Sequence, residues 1–108
     1  MNSILQGTTP SLKIKIKKAD FLVGNVVKLE FGIFHDGRQY LKGLGDVIID
    51  SEENSFTYVF SEEETLAMNP KKLISHQHRF MFADGSITGT KEKTITIEDL
   101  RSKEVMSG

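Results

Sequence analysis

Ser11-Leu12-Lys13-Ile14-Lys15-Ile16-Lys17 is the stretch on which the reading of the fold turns, because apolar and basic residues alternate through it without a break. In a strand, successive side chains point to opposite faces. Leu12, Ile14 and Ile16 then share one side while Lys13, Lys15 and Lys17 take the other, the pattern of a half-buried strand. The same period returns downstream. In residues 26–34, Val27, Leu29, Phe31 and Ile33 fall on one face, and in residues 55–60 Phe56, Tyr58 and Phe60 share a face expected in the core. From residue 74, Ile74, His76, His78, Phe80 and Phe82 oppose Ser75, Gln77, Arg79 and Met81. Residues 87–97, ending Thr94-Ile95-Thr96-Ile97, read as the last strand.

Turn chemistry separates these runs. Asp36-Gly37 precedes Gln39-Tyr40-Leu41, and Asp-Gly favours the positive-φ turns that match the twist of paired strands, so a hairpin is expected there. Gly43 and Gly45 mark a break or bulge, residues 50–54 form a polar turn after Val47-Ile48-Ile49, and Asp84-Gly85 closes a second hairpin. One helix is signalled. Ser61 with Glu64 three residues on is a capping box, and Asn69-Pro70 stops the helix after about two turns.

About seven short strands with one brief helical crossover predict an all-β fold, an antiparallel β-sandwich of immunoglobulin-like architecture, with the helix carrying the chain between sheets. A small open barrel is the rival. The domain is expected to span residues 11–98, with an N-terminal arm over 1–10 and a C-terminal tail over 99–108.

Composition mainly excludes. The 108 residues suit one domain, and 14 basic against 15 acidic side chains leave a net charge of −1, unlike a nucleic-acid binder of high pI. Without cysteine there are no disulfides and no thiolate chemistry. No apolar run approaches the ~20 residues of a membrane span, and no signal-peptide layout opens the chain.

Chemical motifs fare poorly beside plainer explanations. His76 and His78 project from one strand face and could start a metal site with His35, yet they lack a ligand motif and share their face with Phe80 and Phe82, so packing explains them better. No nucleophile elbow accompanies the serines, and Glu62, Glu63 and Glu64 suit the first turn of a helix. Gly43-Leu44-Gly45 lacks a dinucleotide fingerprint. Enzymatic activity, cofactor and metal are therefore not expected. Lys13, Lys15, Lys17 and Lys18 form a basic stripe, read as protection of an edge strand rather than a nucleic-acid surface. Acidic residues at Glu52-Glu53 and Glu62 to Glu64 leave open a head-to-tail charge match between copies.

The opening Ile4-Leu5-Gln6-Gly7-Thr8-Thr9-Pro10, the segment Phe60-Ser61-Glu62-Glu63-Glu64-Thr65-Leu66, the turn Ala83-Asp84-Gly85 and the closing Thr-Ile-Thr-Ile-Glu-Asp-Leu run together resemble small tailed-phage and prophage virion proteins of Gram-positive bacteria. The plan is similar to the immunoglobulin-like N-terminal domain of phage baseplate upper proteins, without their longer C-terminal regions. The resemblance implies a structural or accessory virion component, assembled in the host cytoplasm, in the tail or baseplate ahead of capsid decoration. It implies no catalytic residues.

Two classes of function follow. In the first, the protein docks onto other phage structural proteins, or onto further copies of itself, by strand addition. The expected contacts are Ile4 and Leu5 of the arm, Lys13, Lys15 and Lys17, and Leu100 and Val105 of the tail. Removal of residues 1–10 should then abolish assembly and leave the fold intact. In the second, loops bind a host cell-surface glycan or a metal, with His35, Arg38, Tyr40 and the Asp84-Gly85 turn as candidates. No contact with nucleic acid or membrane is expected.

Overall fold

The alternating segment forms a strand, as its period requires, within a computed structural model that describes residues 3–17 and 21–100. In chain order the strands are β1 (Ser3–Leu5), β2 (Ser11–Lys15), β3 (Val26–His35), β4 (Arg38–Lys42), β5 (Ile48–Asp50) and β6 (Ser55–Val59). The helix α1 (Glu62–Leu66) follows, then β7 (Ile74–Phe82), β8 (Ile87–Gly89) and β9 (Lys93–Glu98). Among the described residues they make two sheets. The larger runs β1-β9-β7-β3-β4 with β8 also paired to β7, and the smaller runs β2-β6-β5. Every pairing is antiparallel except that of β1 with β9.

The two sheets meet face to face as a sandwich, and the residues between them are the ones that alternation places inward. Phe31 and Ile33 of β3, Ile74 and Phe80 of β7 and Ile95 of β9 are buried against Phe56 and Tyr58 of β6. Phe56 stacks on Phe80 across the gap at 5.4 Å between ring centres, and Phe31 meets Tyr58 at 6.1 Å. Such ring pairs contribute about 0.5–1.5 kcal/mol beyond the area they bury. The all-β sandwich, the two sheets and the helix that carries the chain from β6 to β7 are as the periodicity and capping signals predict.

The turns follow their chemistry. Asp36 and Gly37 both take positive φ, at 49° and 76°, and His35 pairs directly with Arg38, so the two-residue hairpin forms as expected. Around Asp84-Gly85 the N–H of Phe82 donates to the Ser86 carbonyl at 2.9 Å while Gly85 sits at φ 88°. In α1 the Ser61 hydroxyl accepts from the Glu64 N–H at 3.1 Å, and the Glu64 carboxylate accepts from the Ser61 N–H at 2.9 Å. Asn54, at φ 54°, clamps the loop after β2: its side chain donates to the carbonyls of Ile16 and Phe21 and accepts from the N–H of Val23.

Three expectations need correction. First, the structure has nine strands among the described residues rather than about seven. The last run divides into β8 and β9, because the register with β7 shifts by one residue between the Arg79–Gly89 and His76–Lys93 pairs. At the break, Thr90 donates its N–H to the His78 carbonyl at 2.9 Å and accepts the His78 N–H on its hydroxyl at 3.1 Å. Second, Val27 is exposed and Val26 buried, since a β-bulge between Val26 and Lys28 reverses the facing at that end of β3.

Third, the N-terminal segment is not a free arm. β1 lies beside β9 with Ile4 opposite Ile97, and Ile4 is buried. Gln6 donates to the Met68 carbonyl at 2.6 Å and accepts from the Leu100 N–H at 3.1 Å. The Thr65 hydroxyl donates to the Thr8 carbonyl at 2.8 Å. Gly7, at φ 74°, leaves room for Leu100 and Leu66: a Cβ there would stand 2.8 Å and 3.2 Å from their methyl groups. Removal of residues 1–10 would therefore take a strand and a core side chain with it. A single buried isoleucine hid in a polar context, and the parallel partner that gives it a place lies some ninety residues away.

Candidate functional site

β2 is an edge strand, and its hydrogen-bonding parity decides what that edge offers. The Phe60 N–H donates to the Pro10 carbonyl and the Ile16 N–H to the Asn54 carbonyl, each at 2.9 Å. With Leu12 opposite Tyr58 and Ile14 opposite Phe56, the even-numbered residues therefore exchange backbone bonds with β6. Ser11, Lys13 and Lys15 direct their N–H and C=O groups the other way. No backbone bond engages these groups among the described residues.

Beside this free edge runs a cleft of about 250 Å³ where the two sheets part. One wall is Lys13, Ile14, Lys15 and Lys17; the other is His76, Thr90, Lys91 and Lys93 from the larger sheet. Residues from both faces of β2 reach the cleft, which places it along the strand's open side. Lys93 belongs to the inward row of β9 with Ile95 and Ile97 and pairs in register with His76, so a cation stands where the row would otherwise be apolar. Lys13 is ion-paired with Glu53. Among the described residues no such pair holds Lys15, Lys17, Lys91 or Lys93.

Behind His76 the cleft ends in an imidazole pair. His76 Nδ1 and His78 Nε2 lie 2.9 Å apart and share one hydrogen, and the His78 ring packs on Phe31 at 4.0 Å. His78 Nδ1 is buried with no hydrogen-bond partner. Burial, together with the neighbouring His76, pushes the His78 pKa down to about 3. His76 is also lowered, by burial first and then by Lys93. Both rings are thus neutral near pH 7 and pack as core, in line with the packing explanation. Among the described residues no three His, Cys, Asp or Glu side chains are grouped to hold a metal ion.

The residues singled out for a glycan site do not converge. His35 is buried and occupied: Nε2 accepts from the Asn69 N–H at 2.9 Å and Nδ1 faces the Leu73 carbonyl at 3.1 Å, which fixes the Nδ1–H tautomer. β3 and β7 run antiparallel with His35 opposite Ile74 and Val26 opposite Phe82. The Asp36-Gly37 and Asp84-Gly85 tips therefore lie at opposite ends of the sheet. Arg38 and Tyr40 do meet, in a second cleft of about 280 Å³ shared with Glu63 and Glu64 of α1. Glu64 is already engaged there. It accepts from the Tyr58 hydroxyl at 2.8 Å and faces Lys42 at 3.8 Å. Burial opposes its charge, but the Ser61 N–H, Tyr58 and Lys42 prevail and hold its carboxyl below the usual range. Burial and that same carboxylate raise the Tyr58 phenol.

Of the residues expected to contact partners, Lys13, Lys15 and Lys17 come together on the cleft. Ile4 is in the core and Leu5 is partly exposed beside β9. Leu100 is half-buried against Gly7. Val105 lies outside the described residues. Lys91, Lys93, His76 and Thr90 were missed as companions of the stripe. Parity alone could have flagged Lys93, two positions before Ile95 on the inward face. The acidic groups expected to answer the lysines in another copy are partly used within the chain, by Lys13 on Glu53 and by the cap and Lys42 on Glu64.

No helix among the described residues is long and apolar enough to cross a membrane. In comparisons with known proteins, no family model matches the chain and no curated protein matches its sequence.

Proposed function

We propose that this protein is a non-enzymatic docking module, a structural or accessory component of a tailed-phage particle that acts through contacts with other virion proteins. The observation that carries the docking reading is the edge of β2, whose odd-numbered backbone groups have no backbone partner among the described residues and stand between lysines. An open edge offers a ladder of donors and acceptors, while side chains at alternate positions set register and choice of partner. Lysines on such an edge also discourage indiscriminate pairing with other chains, so that only a partner with complementary charge is accepted. The phage assignment rests on the resemblance carried by the opening segment, the Ser61 to Leu66 helix start and the closing strand, with tail or baseplate ahead of capsid decoration.

The test is physical association with particles. A tagged copy expressed during lytic growth should co-sediment with purified virions at a fixed number of copies per particle. Recovery only in the particle-free lysate overturns the reading.

A second reading, a glycan binder, is favoured by the cleft in which Arg38 and Tyr40 face Glu63: an aromatic ring beside polar groups is the usual equipment for a sugar. Heat on titration with host cell-wall glycans, lost in Tyr40→Ala, would support it. The absence of heat removes it.

A further inference from the structure

We infer that the cleft between β2 and the Thr90–Lys93 segment is the seat of an acidic, extended segment from another polypeptide, which adds as a strand to the free edge of β2. This rests on the docking reading above and names the chemistry of the partner.

Three observations point to it. Among the described residues the edge of β2 is open over Ser11, Lys13 and Lys15, whereas the edges of β1, β5 and β8 belong to strands of three residues each, and β4, the other five-residue edge strand, borders the cleft that holds the carboxylates of Glu63 and Glu64. Lysines stand on both sides of the path: Lys13, Lys15 and Lys17 on the strand, Lys91 and Lys93 across the gap. Four of these five have no ionic partner among the described residues, in a chain whose net charge is −1. Like charges gathered in this way repel and gain nothing for the fold, but they attract and orient a negative partner.

The backbone discriminates between kinds of anion. A phosphate or sulfate group seated on this edge would meet the carbonyl oxygens of Lys13 and Lys15 as well as their N–H groups, and the carbonyls would repel it. A peptide backbone satisfies both in alternation. A second copy of this chain is a poorer occupant. Its acidic runs lie in the Asp50–Asn54 turn, in α1 and at Glu98-Asp99, where β9 is already paired with β1, so none is a free extended segment.

The experiment uses the full chain at low salt and three probes, two of them ten-residue peptides. These are an alternating Glu-Val peptide, the same peptide N-methylated at every second residue, and inorganic polyphosphate of matched charge. The acidic peptide should bind and slow amide exchange at Lys13 and Lys15. N-methylation should weaken it by roughly tenfold or more through lost backbone bonds. The double variant Lys15→Glu/Lys93→Glu, with its circular dichroism unchanged, should lose binding by a similar factor. Equal binding of the N-methylated peptide or of polyphosphate means that only charge is recognised and overturns the inference. So does the absence of peptide binding, or self-association of the chain that the double variant abolishes. Peptide binding by a protein that fails to co-sediment with particles would leave this inference standing and remove the phage assignment; the reverse result would do the opposite.

Discussion

His78 shows how one residue couples packing to pH. Its ring lies between Phe31 and His76, with one nitrogen sharing a hydrogen with His76 Nδ1 and the other unpartnered. A charged His76–His78 pair would set two N–H groups against each other, in a site with Lys13, Lys15, Lys17, Lys91 and Lys93 around its mouth. Both folded-state pKa values lie below the ordinary histidine value, His78 at about 3. As pH falls, the unfolded chain therefore takes up protons first. The stability conferred by neutral His78 is complete above about pH 6.5 and is lost progressively as pH falls toward 3, at up to about 1.4 kcal/mol per pH unit, and the lowered His76 acts in the same direction. Denaturant titrations between pH 7 and pH 4 should show this slope, and His78→Leu should reduce it markedly. An unchanged slope in that variant would place the acid sensitivity elsewhere.

At the scale of elements, β1 carries the clearest lesson. It is only three residues long, Ser3-Ile4-Leu5, too short to show a period, yet it adds a parallel edge strand to β9 and sends Ile4 into the core. Ile4→Ala should cost about 2–4 kcal/mol, as deleting a buried isoleucine side chain does. The check is the urea midpoint, with Leu5→Ala, on a half-exposed side chain, moving it far less. The capping box at Ser61, both Gly-containing hairpins and the inward faces of β6 and β7 were legible beforehand, because each is written in a single short continuous stretch of sequence. β1 was not legible, since its partner is almost the whole chain away and a lone isoleucine has no period. The bulge in β3 was equally silent: alternation points to Val27, and only the register with β7 turns Val26 inward.

For the whole molecule, the balance of charge is uneven in a way that its total conceals. Lysines from β2 and from the far wall of the larger sheet share one cleft, and the fold tolerates their repulsion. The double variant Lys15→Glu/Lys93→Glu should accordingly raise the thermal midpoint at low salt while it loses the acidic peptide. The stability difference should shrink near 1 M salt, where the Debye length falls to about 3 Å. A lower midpoint would mean that the lysines support the fold and are not held ready for a ligand. The sequence by itself determined that the chain is built of strands, which side chains face inward in most of them, where it turns, and that β2 wears its lysines on one side. These are local matters, settled by a period of two and by the backbone preferences of Gly, Asp and Ser. Only the tertiary structure decided that β2 ends the smaller sheet with its odd-numbered backbone groups unpaired among the described residues, and that Lys91 and Lys93 stand opposite. Alternation assigns a side chain to a face but never a strand to its neighbour, because pairing and sheet packing join residues that no local pattern relates.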